Sequence, residues 1–155
     1  MGRVQARILP SGAVMLKLLV ATDGSDNAMR AVQHVAALAR RGIAVHAVLC
    51  NVQPPVMSGE VGAVAPMEIA EARRTRAAEA AFAAGTAVLE AAGVEVTLHE
   101  AEGDAAREIL SAAATHRCDG IVVGRRGMGA VASLVAGSVS SQVIRRSTLP
   151  VTLVK

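Results

Sequence analysis

A three-layer α/β sandwich, with a five-stranded parallel sheet between two layers of helices, is the fold this sequence predicts. Two observations lead there. Short apolar runs alternate along the 155 residues with longer segments of helical period, giving the order β-α-β-α-β-α-β-α-β. Such alternation calls for parallel strands covered on both faces. The first and fourth runs are the most uniformly apolar, as strands buried on both faces are, so they belong at the centre of the sheet. Right-handed crossovers then give the strand order 3-2-1-4-5, with the switch point between strands one and four.

Each element has its own signature. Residues 1–14 read as a polar N-terminal extension to a single domain over 15–155, because they carry arginines and lack a long apolar stretch. The first strand is Lys17 to Ala21, ended by Thr22-Asp23-Gly24-Ser25. Ser25 or Asp26 caps a helix that runs to about Arg41, with Ala28, Ala31, Val32, Val35 and Leu38 on one side. Gly42 closes it. The second strand is Ile43 to Val52, and the prolines and glycines of residues 53–66 make a long loop. Alanine-rich Met67 to Ala92 is a helix closed by Gly93, and Gly85 marks a candidate break, since Gly costs about 1 kcal/mol against Ala there. The third strand, Val94 to Ala101, alternates Val94, Val96 and Leu98 with Glu95, Thr97 and His99, which predicts a sheet edge with one wetter face. Gly103-Asp104 opens a helix to about Arg117, and Asp119 to Val123 is the fourth strand. A glycine loop follows, with a helical turn expected at 131–135; then a helix over 137–147 and, past Pro150, the fifth strand Val151 to Val154.

Composition removes several functions. With one Phe, no Trp and no Tyr, the chain lacks the π-faces on which single-stranded nucleic acid stacks. The net charge of +3 is small and the arginine pairs are scattered along the chain, so nucleic acid is not an expected partner. No run reaches the ~18 apolar residues of a membrane span, and no secretory signal is present, so the expected compartment is cytoplasmic. Cys50 and Cys118 are isolated and read as reduced, packed thiols. His34, His46, His99 and His116 have no metal-binding spacing.

The chemistry concentrates in Gly124 to Ser138, GRRGMGAVASLVAGS. A strand, a glycine-lined loop and a helix start form an anion site, because the helix N-terminus offers unpaired N–H groups and positive potential. Residues 124–129 match the opening of a P-loop, but Ala130 and Val131 stand where Lys and Ser/Thr are required, so that chemistry is rejected. Residues 127–132 fit GxGxxA, yet they follow the fourth strand and no acidic residue comes after them, so a dinucleotide site is rejected too. No nucleophile–base pair is visible near the loop.

What remains is G-x2-G-x9-G-S, at Gly124, Gly127, Gly137 and Ser138. Together with Leu19-Val-Ala-Thr-Asp-Gly-Ser25, the 120–127 segment, Gly-Ser-Val-Ser at 137–140 and Leu149-Pro-Val151, it resembles the nucleotide-binding branch of the universal stress protein family across residues 16–155. The resemblance implies an ATP site, with Mg as a candidate companion. Asp23 would approach the ribose or a phosphate-bound metal, with Thr22 beside it. The backbone of Val52 would meet the adenine. Val123 and Gly124 would lie under the ribose, and Arg126 and Gly127 near the phosphates. Gly137, Ser138, Val139 and Ser140 would hold the phosphates through N–H groups and hydroxyls. Asn51 departs from the family, which often has His there. The resemblance also implies a homodimer through the C-terminal strand, whose edge is open, and a role as a stress-response regulator or nucleotide sensor. The alternatives are slow ATP hydrolysis or autophosphorylation on Ser138 or Ser140, and a nucleotide-free interaction module.

Overall fold

The computed structural model describes residues 7–8, 14–55, 67–125 and 137–155. In chain order these form β1 (Arg7–Ile8), β2 (Val14–Ala21), α1 (Asp26–Arg40), β3 (Val45–Gln53), α2 (Met67–Glu90), β4 (Glu95–Glu102), α3 (Ala105–Thr115), β5 (Gly120–Gly124), α4 (Ser138–Arg146) and β6 (Val151–Val154). The sheet order is β4-β3-β2-β5-β6, with every pairing on this path parallel. This is the expected 3-2-1-4-5 order, and β4 is the edge that its alternating pattern predicts. One pairing lies off this path. Arg7 and Ile8, inside the expected extension, pair antiparallel with Met15 and Val14, and β2 starts three residues earlier than Lys17.

Alternation along the central strands builds two cores. Leu18 and Val20 of β2, with Ala47, Leu49 and Val122, face Val32 and Val35 of α1 and Phe82 and Leu89 of α2. Leu19, with Val48, Cys50, Ile121 and Val123, faces Ile109 and Ala112 of α3 and Val143 of α4. The two-residue period of the strands thus supplies both helix layers from one sheet.

The helix ends are set by local chemistry. The Ser25 hydroxyl accepts a hydrogen bond from Ala28 N (3.2 Å), and Asp104 accepts one from Arg107 N (2.9 Å), each satisfying a donor the helix leaves open. Gly42, at φ +89°, turns the chain out of α1. α2 runs unbroken through Gly85. A Cβ there would lie 3.0 Å from Leu49 Cδ1, so the glycine lets α2 sit down on β3. Leu98, across the ladder from Leu49 on the edge strand, departs from the expected pattern and is 52% exposed. Among the described residues no helix is long and apolar enough to cross a membrane.

Candidate functional site

The crossovers leaving β2 and β5 go to opposite faces of the sheet, α1 to one and α4 to the other. A crevice therefore opens at the carboxyl ends of these two adjacent strands, where ligands of doubly wound sheets bind. Thr22 and Asp23 follow β2 directly, Val52 is the penultimate residue of β3, and Val123 and Gly124 end β5. Thr22 is buried, and its N–H donates to Cys50 O (2.8 Å). Its Oγ1 is buried with no hydrogen-bond partner among the described residues. A buried hydroxyl without a partner costs about 1–3 kcal/mol, so it marks a place where a further polar group is wanted. Asp23 Oδ1 accepts from Ser25 N (2.9 Å), which fixes the carboxylate at the mouth of the turn.

On the β5 side the start of α4 is clasped to the strand. Arg125 N donates to Val154 O (2.7 Å), and Gly137 N donates to Arg125 O (2.7 Å). The Ser140 hydroxyl, buried, shares its proton between Arg125 O (3.1 Å) and Gly137 O (3.0 Å). The residues on either side of 126–136 are thereby held together, and α4 begins beside the end of β5. Gly137 is the N-cap and offers no side chain, and the first bond back to its carbonyl comes from Ser141 N (3.0 Å). Among the described residues no acceptor is recorded for the N–H groups of Ser138, Val139 and Ser140. Three such donors with the positive end of a helix form an anion-binding surface. Ser138 and Val139 are exposed there.

Gly124 has a second reason to be glycine. A Cβ on it would run into the Asn27 carbonyl oxygen, with the Asn27 carbonyl carbon at 2.6 Å and Ala28 N at 3.0 Å. The first turn of α1 thus crosses close over the end of β5, main chain against main chain.

No reactive nucleophile is evident among the described residues around it. Burial, with smaller contributions from Cys118 and Glu108, pushes the Cys50 thiol up to about 12. Burial also pushes Cys118 up to about 11, against the opposing field of Lys17. Thiols at these values are almost wholly protonated at neutral pH and inert. No group of three or more His, Cys, Asp or Glu among the described residues could hold a metal ion. The structure does bring together two histidines that are distant in sequence: His116 Nε2 lies 3.0 Å from His99 Nδ1, with the rings edge to face.

The described part of the expected site thus gathers at the carboxyl ends of the central strands: Thr22, Asp23, Val52, Val123, Gly124, Gly137, Ser138, Val139 and Ser140. Arg126 and Gly127, like the turn expected at 131–135, lie outside the described residues. Ser140 differs from the expectation in what its hydroxyl does, since it ties main chain rather than facing the crevice. The side-chain role of Asn51 was missed: this buried residue donates from Nδ2 to Thr22 O (2.7 Å) and accepts at Oδ1 from Gln53 Nε2 (2.7 Å). A polar residue inside an apolar strand was its only signal.

Residues 15–155 match the universal stress protein family. The chain belongs to that family. It is 37% identical over 139 residues to a universal stress protein of Thermus aquaticus, covering 89% of this chain and 97% of the relative. It is 34% identical over 145 residues to YxiE of Bacillus subtilis strain 168, covering 90% and 98%. The solved structure of hypothetical protein MJ0577 superposes with a TM-score of 0.71 at 28% identity, covering 90% of this chain and 95% of that one. Three further universal stress proteins share the fold and were solved with cAMP, with AMP (Arabidopsis thaliana) and with dAMP (Archaeoglobus fulgidus), at TM-scores of 0.64, 0.67 and 0.61 and identities of 24%, 19% and 22%.

Proposed function

We propose that this universal stress protein binds an adenine nucleotide, ATP with or without Mg, in the crevice between β2 and β5, and serves as a nucleotide-dependent regulator. The observation that carries the reading is the pairing of two unmet needs across one crevice. Among the described residues, the α4 start has no side-chain cap for its N–H donors, and the buried Thr22 hydroxyl has no hydrogen-bond partner. A phosphate group answers the first need and a nucleoside hydroxyl or metal-bound water the second. The adenine nucleotides bound by three relatives of the same fold support the choice of ligand class.

In this reading Ser138, Val139 and Ser140 hold phosphate by their main-chain N–H groups, and the Ser138 hydroxyl adds a donor. Gly137, with no side chain, leaves the approach open. Asp23 accepts from the ribose or orients a phosphate-bound cation. Thr22 completes that side, Val52 presents main chain to the adenine, Val123 and Gly124 lie under the ribose, and Arg126 and Gly127 are assigned to the phosphates by the family resemblance. In this reading the site holds its nucleotide for regulation, with slow hydrolysis or autophosphorylation as the alternative. The working assembly is a cytoplasmic homodimer joined along β6, the open edge of the sheet.

Calorimetry with ATP, ADP, AMP and cyclic AMP tests this. The expected result is binding of at least one of them, lost when Gly137→Val places a branched side chain at the α4 start. No binding at millimolar concentration would refute the reading. Gel filtration at micromolar concentration should give a dimer; a monomer would refute the β6 assembly.

A further inference from the structure

Main-chain pairing between β2 and β3 ends at Ala21 and Cys50, with Thr22 N still reaching Cys50 O (2.8 Å). The Thr22 carbonyl is met by a side chain instead. Asn51 Nδ2 donates to it at 2.7 Å, and Asn51 Oδ1 is itself held by Gln53 Nε2 at 2.7 Å. A carbonyl only accepts, so the amide orientation is fixed by its partner. Asn51 is 1% exposed and the bonds are short, so the relay has little freedom. The carbonyl it holds shares a peptide plane with the N–H of Asp23. Beyond Asp23, the carboxylate is held by Ser25 N at 2.9 Å. Asp23 therefore projects from a peptide whose carbonyl is held by Asn51, and its carboxylate is held by Ser25 N.

We infer that Asn51 is a positioning residue which, through the Thr22–Asp23 peptide, sets the preference of the site for a nucleotide with intact ribose hydroxyls. The inference rests on the adenine-nucleotide reading and adds to it the residue that governs sugar selectivity. Phosphate affinity is governed separately, at the start of α4, so the two parts of the ligand are read by independently built walls. A residue that merely stabilised the fold would lower affinity for all nucleotides together. A residue that aims Asp23 changes the ratio between nucleotides with and without sugar hydroxyls.

The experiment measures that ratio. For the native protein, ATP should bind on the order of 10-fold or more tighter than 2′,3′-dideoxy-ATP, the difference a hydroxyl donating to a carboxylate makes. Asn51→Leu should bring the ratio down to about 1–3 while dideoxy-ATP affinity changes less than about threefold. Asn51→His, which keeps an N–H donor, should retain most of the native ratio. Asp23→Ala should lower the ratio as Asn51→Leu does, and the double variant should lower it no further. Should Asn51→Leu not fold, Gln53→Leu leaves Asn51 in place but frees its amide, and should give a partial fall in the ratio. A native ratio retained in folded Asn51→Leu, or in Gln53→Leu where the former does not fold, overturns the inference while leaving the nucleotide site standing. Failure of the native protein to bind any adenine nucleotide overturns both.

Discussion

Replacing Gly124 by Ala separates two reasons for a glycine at the end of β5. If the glycine serves only ligand approach, the substitution lowers nucleotide affinity and leaves the free protein as stable as before. If it serves the crossing of α1, the free protein is destabilised with no nucleotide present. The added Cβ would stand 2.6 Å from the Asn27 carbonyl carbon and 3.0 Å from Ala28 N. Ordinary carbon contacts begin near ~3.5 Å, so one segment must shift by roughly 1 Å. The obstacle is main chain and cannot rotate away. It is also anchored, by Met29 N to Ser25 O (2.9 Å), by the Ser25 cap and by buried Ala28 and Ala31. Overpacking costs about 1–3 kcal/mol where side chains can yield, so a main-chain collision belongs near ~3 kcal/mol. For a chain of 155 residues this lowers Tm by about 6–12 °C. Gly42→Ala is the control. Gly42 has φ +89° and nothing within 4 Å of its would-be Cβ, so only left-handed strain of about 1–2 kcal/mol applies. Urea unfolding of both variants without nucleotide decides the matter. A smaller loss for Gly124→Ala than for Gly42→Ala would refute the packing argument.

Three other outcomes are expected. Gly85→Ala gains about 1 kcal/mol of helix propensity but drives a Cβ to 3.0 Å from Leu49 Cδ1 on a fully buried side chain, at a cost of about 1–3 kcal/mol; the urea midpoint should fall, and a rise would show that Leu49 gives way. Cys50 and Cys118, with thiols raised to about 12 and 11, should react with iodoacetamide at pH 8 at least ~100-fold more slowly in the native protein than in urea, read by mass spectrometry. His116 has its pKa lowered, first by burial and then by His99, Lys17 and His46. The folded state then favours the neutral ring, so this contribution to stability is complete above the unfolded pKa of about 6.5 and is lost as pH falls through the lower folded value. The urea midpoint should therefore fall with acidification in that window, and less steeply in His116→Gln; an NMR titration placing His116 at or above 6.5 would contradict it.

How far each feature could be read from the sequence follows from how local its cause is. The central strands, the helix stops at Gly42 and Gly93 and the caps at Ser25 and Asp104 were legible because their causes lie within a few residues. β4 was legible as an edge because alternation reports burial directly, although Leu98, on its apolar face, is exposed. The Arg7–Ile8 pairing carried a weaker local signal, the apolar Ile8-Leu9 separated from the first strand by Pro10-Ser11-Gly12, and polar composition outweighed it. The candidate site could be named from its glycines and hydroxyls, but the contacts those residues make could not. Gly124 meets Asn27, 97 positions away (124 − 27), and Ser140 binds the carbonyl of Arg125. Asn51 reaches Thr22 across the sheet. Each of these partners is chosen by the fold, so no spacing along the chain announces it. A spacing motif records where a ligand group fits, while the residues that aim the motif are set by cross-strand and helix–strand contacts. In the sequence Asn51 registers only as a departure from the family's usual His, whereas in the fold its amide holds the Thr22 carbonyl, the peptide from which Asp23 projects.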